Sequence, residues 1–172
     1  MAASKYEKYV TRKAETVLGP GPDGVIKFGF PKTYKITDKT ITTTGPRMIF
    51  SNDYIKEAAT KVEYGWVLKD MTLLNGDKSK NYGAHKHDYP EIFIFFGNDP
   101  YDTSYLGGEG EFWLGEGNDL EKIKFDTSCS FYVPAGVGHF PLFFKNVKSP
   151  IAMNVVVPKV GDLKLTPVSR SK

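Results

Sequence analysis

The fold of this chain is decided by the stretch HKHDYPEIFIFF, residues 85–96, in which a polar motif runs directly into a continuous apolar strand. A second motif, PAGVGH at residues 134–139, also opens onto an apolar run. The two motifs, H-x-H-x-x-x-E and P-x-G-x-x-H, contain all three histidines of the protein. Imidazole and carboxylate groups at such spacings suit a divalent transition metal. The sequence therefore predicts a metal site at the mouth of a small β-barrel.

The composition is that of a soluble globular chain with many short strands. Its 172 residues suit one domain with a proper core. Hydrophobic residues make up 40% and charged residues 25%. Aromatic residues reach 14%, and 17 glycines with 11 prolines favour short strands joined by tight turns. The net charge of +3 is scattered along the chain, so we expect no nucleic-acid partner.

The cysteine content and the N-terminal residues predict a cytoplasmic protein. Cys129 is the only cysteine, so the chain cannot form an internal disulfide, which fits a reducing compartment. The first 19 residues contain no apolar segment of the kind found in signal peptides and none long enough to cross a membrane. We expect no membrane partner.

Apolar runs between turn residues predict the strands. A helical turn is expected over 54–60, capped by 51–53, and a loop over 98–110. Residues after Pro158 are polar and predict an extended tail. Short strands without convincing helices indicate an antiparallel barrel or sandwich. The predicted strands are two or three within 25–44, and then 47–50, 64–74, 92–96, 111–114, 120–125, 131–133 and 151–157.

Strand geometry can bring the histidines together. Side chains alternate along a strand, so His85, His87 and Glu91 point to the same face if no bulge intervenes. Pro90 indicates a strand edge or a bulge between them. A reversal at the second motif would place His139 alongside. Each motif alone has a simpler explanation, a solvent-facing or hydrogen-bonded His-x-His and an ordinary turn, but their combination favours a metal. Such a set would leave up to two positions open on a six-coordinate ion.

The paired motifs, with Gly97 after the first, resemble those of the cupin superfamily. The resemblance implies an all-β fold, a jelly-roll barrel (double-stranded β-helix) over about residues 45–158. It would carry an N-terminal arm with strands over 1–44 and a C-terminal tail over 159–172. The chain departs from the family at Ser79 and Ser128, where glycines are common, and at Phe143, where an Asn is common. The resemblance implies that a divalent transition metal (Fe, Mn, Ni or Zn) is bound by His85, His87, Glu91 and His139.

The residues around the expected site are mainly apolar. With Glu91 facing in, Phe93 and Phe95 also face in, and Ile92, Ile94 and Phe96 form an apolar outer face that must be covered. We expect a homodimer through this face, although residues 1–44 could cover it instead. The inner cavity is expected to draw on Trp66, Phe93, Phe95, Tyr132, Phe140 and Phe144.

Few polar residues are candidates for chemistry beside the metal. Tyr82, Tyr89 and Asn154 are the candidate catalytic residues, and Lys86 is a further polar neighbour. Asn154 could orient a ligand or contact a substrate, but it could equally bond a backbone group. Arg47 could reach an anionic substrate or be a solvated charge at the rim.

Two functions fit the sequence. The first is a metal-dependent enzyme acting on a small organic molecule in the barrel, since dioxygenase, decarboxylase and isomerase chemistries all occur among cupins. The second is a non-catalytic module in which metal and pocket hold a small ligand or stabilise the barrel. With every histidine assigned to the metal, none remains as a general base.

Overall fold

Strands dominate the structure, a computed structural model that describes residues 5–10, 15–20, 25–29, 48–52, 55–74, 83–159 and 161–170. Within these ranges the only helical segments are short 3-10 turns at Glu7–Tyr9 and Gly117–Asp119. No helix there is long and apolar enough to span a membrane. The strands are β1 (Glu15–Pro20), β2 (Ile26–Gly29), β3 (Met48–Phe50), β4 (Lys61–Val67), β5 (Met71–Leu73), β6 (His85–Lys86), β7 (Glu91–Phe96), β8 (Tyr105–Leu114), β9 (Glu121–Thr127), β10 (Cys129–Val133), β11 (His139–Lys145), β12 (Ile151–Val157) and β13 (Thr166–Pro167).

The strands form two antiparallel sheets that pack face to face. One sheet has seven strands in the order β10-β7-β12-β4-β3-β1-β2, and the other has six, including β5, with the main order β13-β6-β11-β8-β9. β5 pairs with β11 in the second sheet. Strands distant in sequence are neighbours in both sheets, as they are in a jelly roll. The predicted all-β, jelly-roll barrel is confirmed.

The core between the sheets is aromatic. Phe93 of β7 lies edge-on to Phe112 of β8, with ring centroids 5.0 Å apart. Phe95 meets Phe144 of β11 in the same way at 5.5 Å. Edge-to-face pairs of this kind add to the free energy gained by burying the rings. The predicted inward position is confirmed for four rings, because Phe93, Phe95, Phe140 and Phe144 are at most 5% exposed.

Two other aromatic residues predicted to face inward face outward. Trp66 is 48% exposed and Tyr132 is 63% exposed. Trp66 belongs to β4, which ends at Val67, whereas a single strand was predicted to run from residue 64 to 74. After a turn the chain crosses to the second sheet as β5. β4 alone has an exposed Trp66 next to a buried Val67, and Met71 and Leu73 belong to β5 in the other sheet, so the prediction of one continuous strand over 64–74 was wrong.

One further local prediction was wrong. The second half of the predicted loop 98–110 is strand, because β8 begins at Tyr105. The strand was not predicted because glycine is depleted in strands. Gly110 is needed here because the Phe125 ring occupies the space beside it, and a Cβ would lie 2.1 Å from a ring atom. The predicted helical turn over 54–60, capped by 51–53, lies partly outside the described residues. Within the described part, the Ile55 N–H donates to the Ser51 carbonyl oxygen at 3.2 Å and the Ala58 N–H to the Ile55 carbonyl oxygen at 3.0 Å.

The two ends of the chain add strands to the barrel. Within the predicted strand region 25–44 the structure has β2, and residues 30–44 lie outside the described ranges. Residues after Pro158 are not simply an extended tail: Leu163 is buried, and β13 pairs with β6. The short length of β13 and its Pro167 gave no strand signal in the sequence. The division of the chain at residues 44 and 158 remains a prediction.

Replacing Phe112 by alanine should destabilise the barrel strongly. Its ring is fully buried and lies 5.4 Å from both Phe131 and Phe140, so truncation leaves a cavity between the sheets. We expect the free energy of urea unfolding to fall by about 3–5 kcal/mol. The control Tyr101→Ala removes a ring that is 98% exposed and should change it by less than about 0.5 kcal/mol. Equal losses in the two variants would contradict this core.

Candidate metal centre

The three histidines converge at one end of the barrel. His85 on β6 pairs directly with His139, the first residue of β11. His87 follows β6, and its carbonyl oxygen accepts a hydrogen bond of 2.8 Å from the Gly136 N–H, which ties the two motifs together. One ligand atom from each of the three rings lies within 4.8 Å of the others. All three histidines are buried.

Backbone carbonyls hold all three imidazoles in one tautomer. The Nδ1 atoms of His85, His87 and His139 lie 2.8, 2.6 and 3.1 Å from the carbonyl oxygens of Gly83, Tyr89 and Val137. A carbonyl can only accept, so each Nδ1 carries the proton and donates it. Each Nε2 of a neutral ring is then left with a free lone pair. This is the state in which a histidine binds a metal, with the other nitrogen fixed by a hydrogen bond.

Among the described residues, two of these nitrogens are buried without a hydrogen-bond partner. They are Nε2 of His87 and Nε2 of His139. The nearest oxygen to both is Oε2 of Glu91, at 3.5 and 3.3 Å. A buried polar atom left unpaired costs about 1–3 kcal/mol. A cation between the three rings and the carboxylate would satisfy all of these atoms, so the donor set fits a divalent transition metal.

The protonation states also fit a cation. Burial lowers the pKa of His85 to about 3, and the neighbouring His139 lowers it further. Burial raises the pKa of Glu91, and hydrogen bonds donated by Nε2 of His139 and His87 would lower it to about 2. Those hydrogen bonds require a proton on Nε2, which neutral rings protonated at Nδ1 do not carry. At neutral pH the site therefore presents a neutral imidazole at His85, the form that metal binding requires.

Glu91 is placed beside the histidines by strand register. It begins β7 and pairs with Val133, the residue just before the second motif. Its carboxylate approaches His87 and His139 but is not one of the three ligand atoms that lie mutually within 4.8 Å. The predicted ligand set of His85, His87, Glu91 and His139 is thus brought together in space. That all four bind a metal remains a prediction.

Aromatic rings surround the histidines. Tyr89 stacks flat on His87, with centroids 3.8 Å apart and planes 3° apart. Phe140 lies 5.4 Å from His85 and 5.1 Å from His139. Phe93 lies 6.1 Å from His139. Burial raises the pKa of the Tyr89 hydroxyl, so it stays protonated and can act only as a hydrogen-bond donor or acceptor at neutral pH.

Other predicted neighbours lie away from the site. Asn154 pairs with Ile94 and Tyr64 on the outer face of the seven-stranded sheet, because Met153 and Val155 take the inward positions. The structure therefore does not bring Asn154 to the histidines. Lys86 points to the rim, where its Nζ lies 2.6 Å from Glu116. Tyr82 and Arg47 lie outside the described residues.

Phe143, where the cupin pattern commonly has an Asn, lies away from the histidines. Phe143 packs on Trp113 at 5.7 Å and alternates with the buried Leu142 and Phe144, so it faces away from the histidines. Its departure from the family pattern therefore concerns the outer face. Sequence analysis missed Lys159 and Arg170, which lie behind the site; isolated cations in a polar segment carry no recognisable signal.

The fold and the site together define a two-sheet, jelly-roll barrel with a candidate metal centre at one end. The two motifs predicted this class, and their histidines meet at one end of a two-sheet antiparallel barrel. No protein-family model matches the chain, and no curated protein matches it in sequence.

Solved structures similar to the chain include several cupin proteins. A cupin 2 conserved barrel domain protein from Rhodopseudomonas palustris has 13% identity and a TM-score of 0.45, over 73% of this chain and 67% of that one. Oxalate decarboxylase from Bacillus subtilis has 10% identity and a TM-score of 0.47, over 69% and 27%. Vicilin from hazelnut (Corylus avellana) has 7% identity and a TM-score of 0.47, over 67% and 29%. The chain spans less than a third of the decarboxylase and vicilin chains, and these likenesses carry no information on its activity.

Removing a single histidine should empty the site. His85→Ala and His139→Ala each delete one of three converging imidazoles, so metal bound per chain should fall to a small fraction of the wild-type value. The measurement is elemental analysis after reconstitution with Mn, Fe, Co, Ni or Zn salts and gel filtration. Lys86→Ala, between the two histidines of the first motif but directed to the rim, should retain wild-type stoichiometry. Full metal content in either histidine variant would refute the site.

The metal-free protein should lose stability on acidification. The pKa of His85 falls from 6.5 to about 3 on folding. Between these values the unfolded chain takes up a proton there and the folded chain does not, so the free energy of unfolding falls as the pH falls. The slope from this group reaches up to about 1.4 kcal/mol per pH unit. Urea unfolding across this window measures it. His85→Asn cannot titrate and should give a shallower slope; an unchanged slope would contradict the assignment.

Proposed function

We propose that this protein is a metal-binding cupin and that it works as a metal-dependent enzyme on a small organic molecule. The observation that carries the proposal is the group of three buried imidazoles, each with Nδ1 hydrogen-bonded to a carbonyl and two with an unpaired Nε2. A divalent transition metal in this group would supply Lewis acidity or, as iron, redox chemistry. Dioxygenase, decarboxylase and isomerase reactions are the candidate types. The fold alone does not select among them.

The residues of the chain would hold and shield the reacting molecule. His85, His87, His139 and Glu91 would hold the metal, and the rings of Phe93 and Phe140 exclude water from one side of the imidazoles. Small-ligand sites are commonly apolar with a few fixed polar groups. Tyr89 would orient His87 by stacking and by its carbonyl oxygen, and would not move a proton, because its hydroxyl stays protonated.

A non-catalytic role is the second candidate, and one observation favours it. Among the described residues, the titratable side chains that contact the three imidazoles are the carboxylate of Glu91 and the stacked Tyr89. Neither is a free general base if Glu91 binds the metal. The barrel could then hold a small molecule through the metal without converting it.

One experiment separates the two candidates. Metal-reconstituted protein is mixed with a panel of small carboxylic acids, enols and sugars, and oxygen uptake, carbon dioxide release and proton NMR are followed. Turnover that chelation abolishes and metal restores, and that His139→Ala lacks, supports the enzyme. A metal-dependent rise in melting temperature with a panel member, without turnover, supports the binding module. Failure of the wild-type protein to bind any of the metals contradicts both.

We further propose that two copies pair through the outer face of the seven-stranded sheet. This face exposes large aromatic side chains: Tyr64 is 40%, Trp66 48%, Phe96 44% and Tyr132 63% exposed. Register places Trp66, Ala152 and Phe96 side by side across three strands. Patches of this kind on a folded chain mark interaction surfaces, and a two-fold axis lets one apolar face cover itself. A reducing cytoplasm, which suits the free Cys129, is part of the proposal.

The dimer is tested by mass in solution. Size-exclusion chromatography with light scattering should give twice the chain mass of 19.2 kDa. Trp66→Glu places a charge in the middle of the face and should shift the protein to the chain mass. Lys164→Glu, an exposed control outside the face, should leave the dimer intact. A wild-type protein that runs at the chain mass at all concentrations would end the proposal.

A further inference from the structure

The residues after β12 pass behind the metal centre and contact the surroundings of all three histidines. Residues 159–170, described except for residue 160, are called the C-terminal clamp below. They cross from the seven-stranded sheet to the edge of the other sheet, where β13 lies.

At His139 the clamp acts through Arg170. The guanidinium donates to the Phe140 carbonyl oxygen at 2.7 Å and also to the Gly115 carbonyl oxygen. Phe140 directly follows His139 and has a φ of 73°, a left-handed conformation that a bulky residue keeps only when its surroundings hold it. The Gly115 N–H donates to the Gly138 carbonyl oxygen at 2.7 Å. Arg170 therefore holds the backbone on both sides of His139.

At His85 the clamp acts through backbone pairing. β6 has only two residues, and β13 pairs with it so that Pro167 lies opposite His85. The Val168 N–H donates to the Ala84 carbonyl oxygen at 2.9 Å. β11 pairs with β6 on its other side. Without β13, this two-residue strand would be an unprotected sheet edge, free to shift together with His85.

At His87 the clamp acts through Lys159. Its ammonium group lies 2.7 Å from Oδ1 of Asp88 and 4.9 Å from the centre of the Tyr89 ring. Tyr89 stacks on His87 and accepts the hydrogen bond from its Nδ1. The Asp88 carboxylate is largely exposed, so water screens this ion pair and its effect on His87 is small. Arg170 and β13 are the stronger contacts.

We propose that the C-terminal clamp positions the three histidines for metal binding and that Arg170 is its principal positioning residue. The inference rests on the proposed metal-binding function. Groups that hold metal ligands in place, without touching the metal, typically change metal affinity 10- to 100-fold when they are removed. Loss of Arg170 frees the Phe140 backbone, so His139 loses its fixed direction while all four predicted ligands remain in the chain.

The test is cobalt(II) binding to the full chain, followed by visible absorption. Arg170→Met keeps the aliphatic length and removes the guanidinium, and its Kd for cobalt should rise at least about tenfold with an altered spectrum. Arg170→Lys keeps the charge but cannot donate to two carbonyl oxygens as a planar fork. Its Kd for cobalt should therefore lie between those of the wild type and Arg170→Met. The control Lys164→Met removes an exposed charge from the same segment and should match the wild type.

Urea unfolding of the metal-free variants distinguishes positioning from stability alone. If Arg170 only stabilised the barrel, Arg170→Met would unfold more easily yet bind cobalt with wild-type Kd and spectrum, and the inference would be overturned. Should Arg170→Met fail to fold, Arg170→Lys carries the same two outcomes. A wild-type protein that binds no cobalt, nor Mn, Fe, Ni or Zn, would instead overturn the proposed function, and the inference with it.

Discussion

Three imidazole rings buried at one end of the barrel constrain the structure around them. Buried rings this close cannot all be protonated, because each charge would lose its hydration and repel the others. Neutral rings in turn leave lone pairs that need a partner, and two of the Nε2 atoms have none within the part of the chain that the structure describes. Such an arrangement is stable only where another group compensates for the free-energy cost of the unpaired buried nitrogens. A cation is the compensation that fits these donors.

The barrel meets this requirement by joining distant parts of the chain. The first motif leads into β7 and the second follows β10, and these two strands pair in the seven-stranded sheet. β6 and β11 then pair in the other sheet, which sets His85 against His139. The candidate metal centre therefore spans both sheets at the place where the chain passes between them. A shift of register by one residue in either pair would turn a histidine to the opposite face.

The parts of this arrangement that could be predicted from the sequence are those in which inward-facing residues alternate along a strand. Glu91, Phe93 and Phe95 follow a strict alternation, so their inward direction could be predicted. Trp66 was predicted to face inward and does not, and Asn154 does not lie with the histidines, because alternation gives two faces without saying which is inside. Both residues lie on the outer face, where aromatic and amide groups fit as well as they would near a metal. The strand at Tyr105 was missed because its glycines make room for the Phe125 ring, a contact formed only in the tertiary structure.

The C-terminal residues were beyond prediction for a different reason. Arg170 bonds backbone carbonyl oxygens of Phe140 and Gly115, and any residue type offers a carbonyl at those positions. Such contacts leave no pairing pattern of charges or apolar groups in the sequence. Lys159 does have a charged partner, Asp88, but 71 residues separate the two. Their meeting depends on strand order, which local patterns do not contain.

The carbonyl acceptors that orient the imidazoles also determine how the site tolerates mutation. In many metal sites a carboxylate side chain accepts the hydrogen bond from the ligand histidine, and one substitution of that residue removes the hydrogen bond. Here Gly83, Tyr89 and Val137 supply main-chain oxygen atoms, which survive any change of side chain. The hydrogen bonds that orient the imidazoles are thus insulated from most point mutations at these three positions, although a mutation of Tyr89 would also remove the ring stacked on His87. It remains sensitive to insertions, deletions and prolines, which alter the path of the backbone itself.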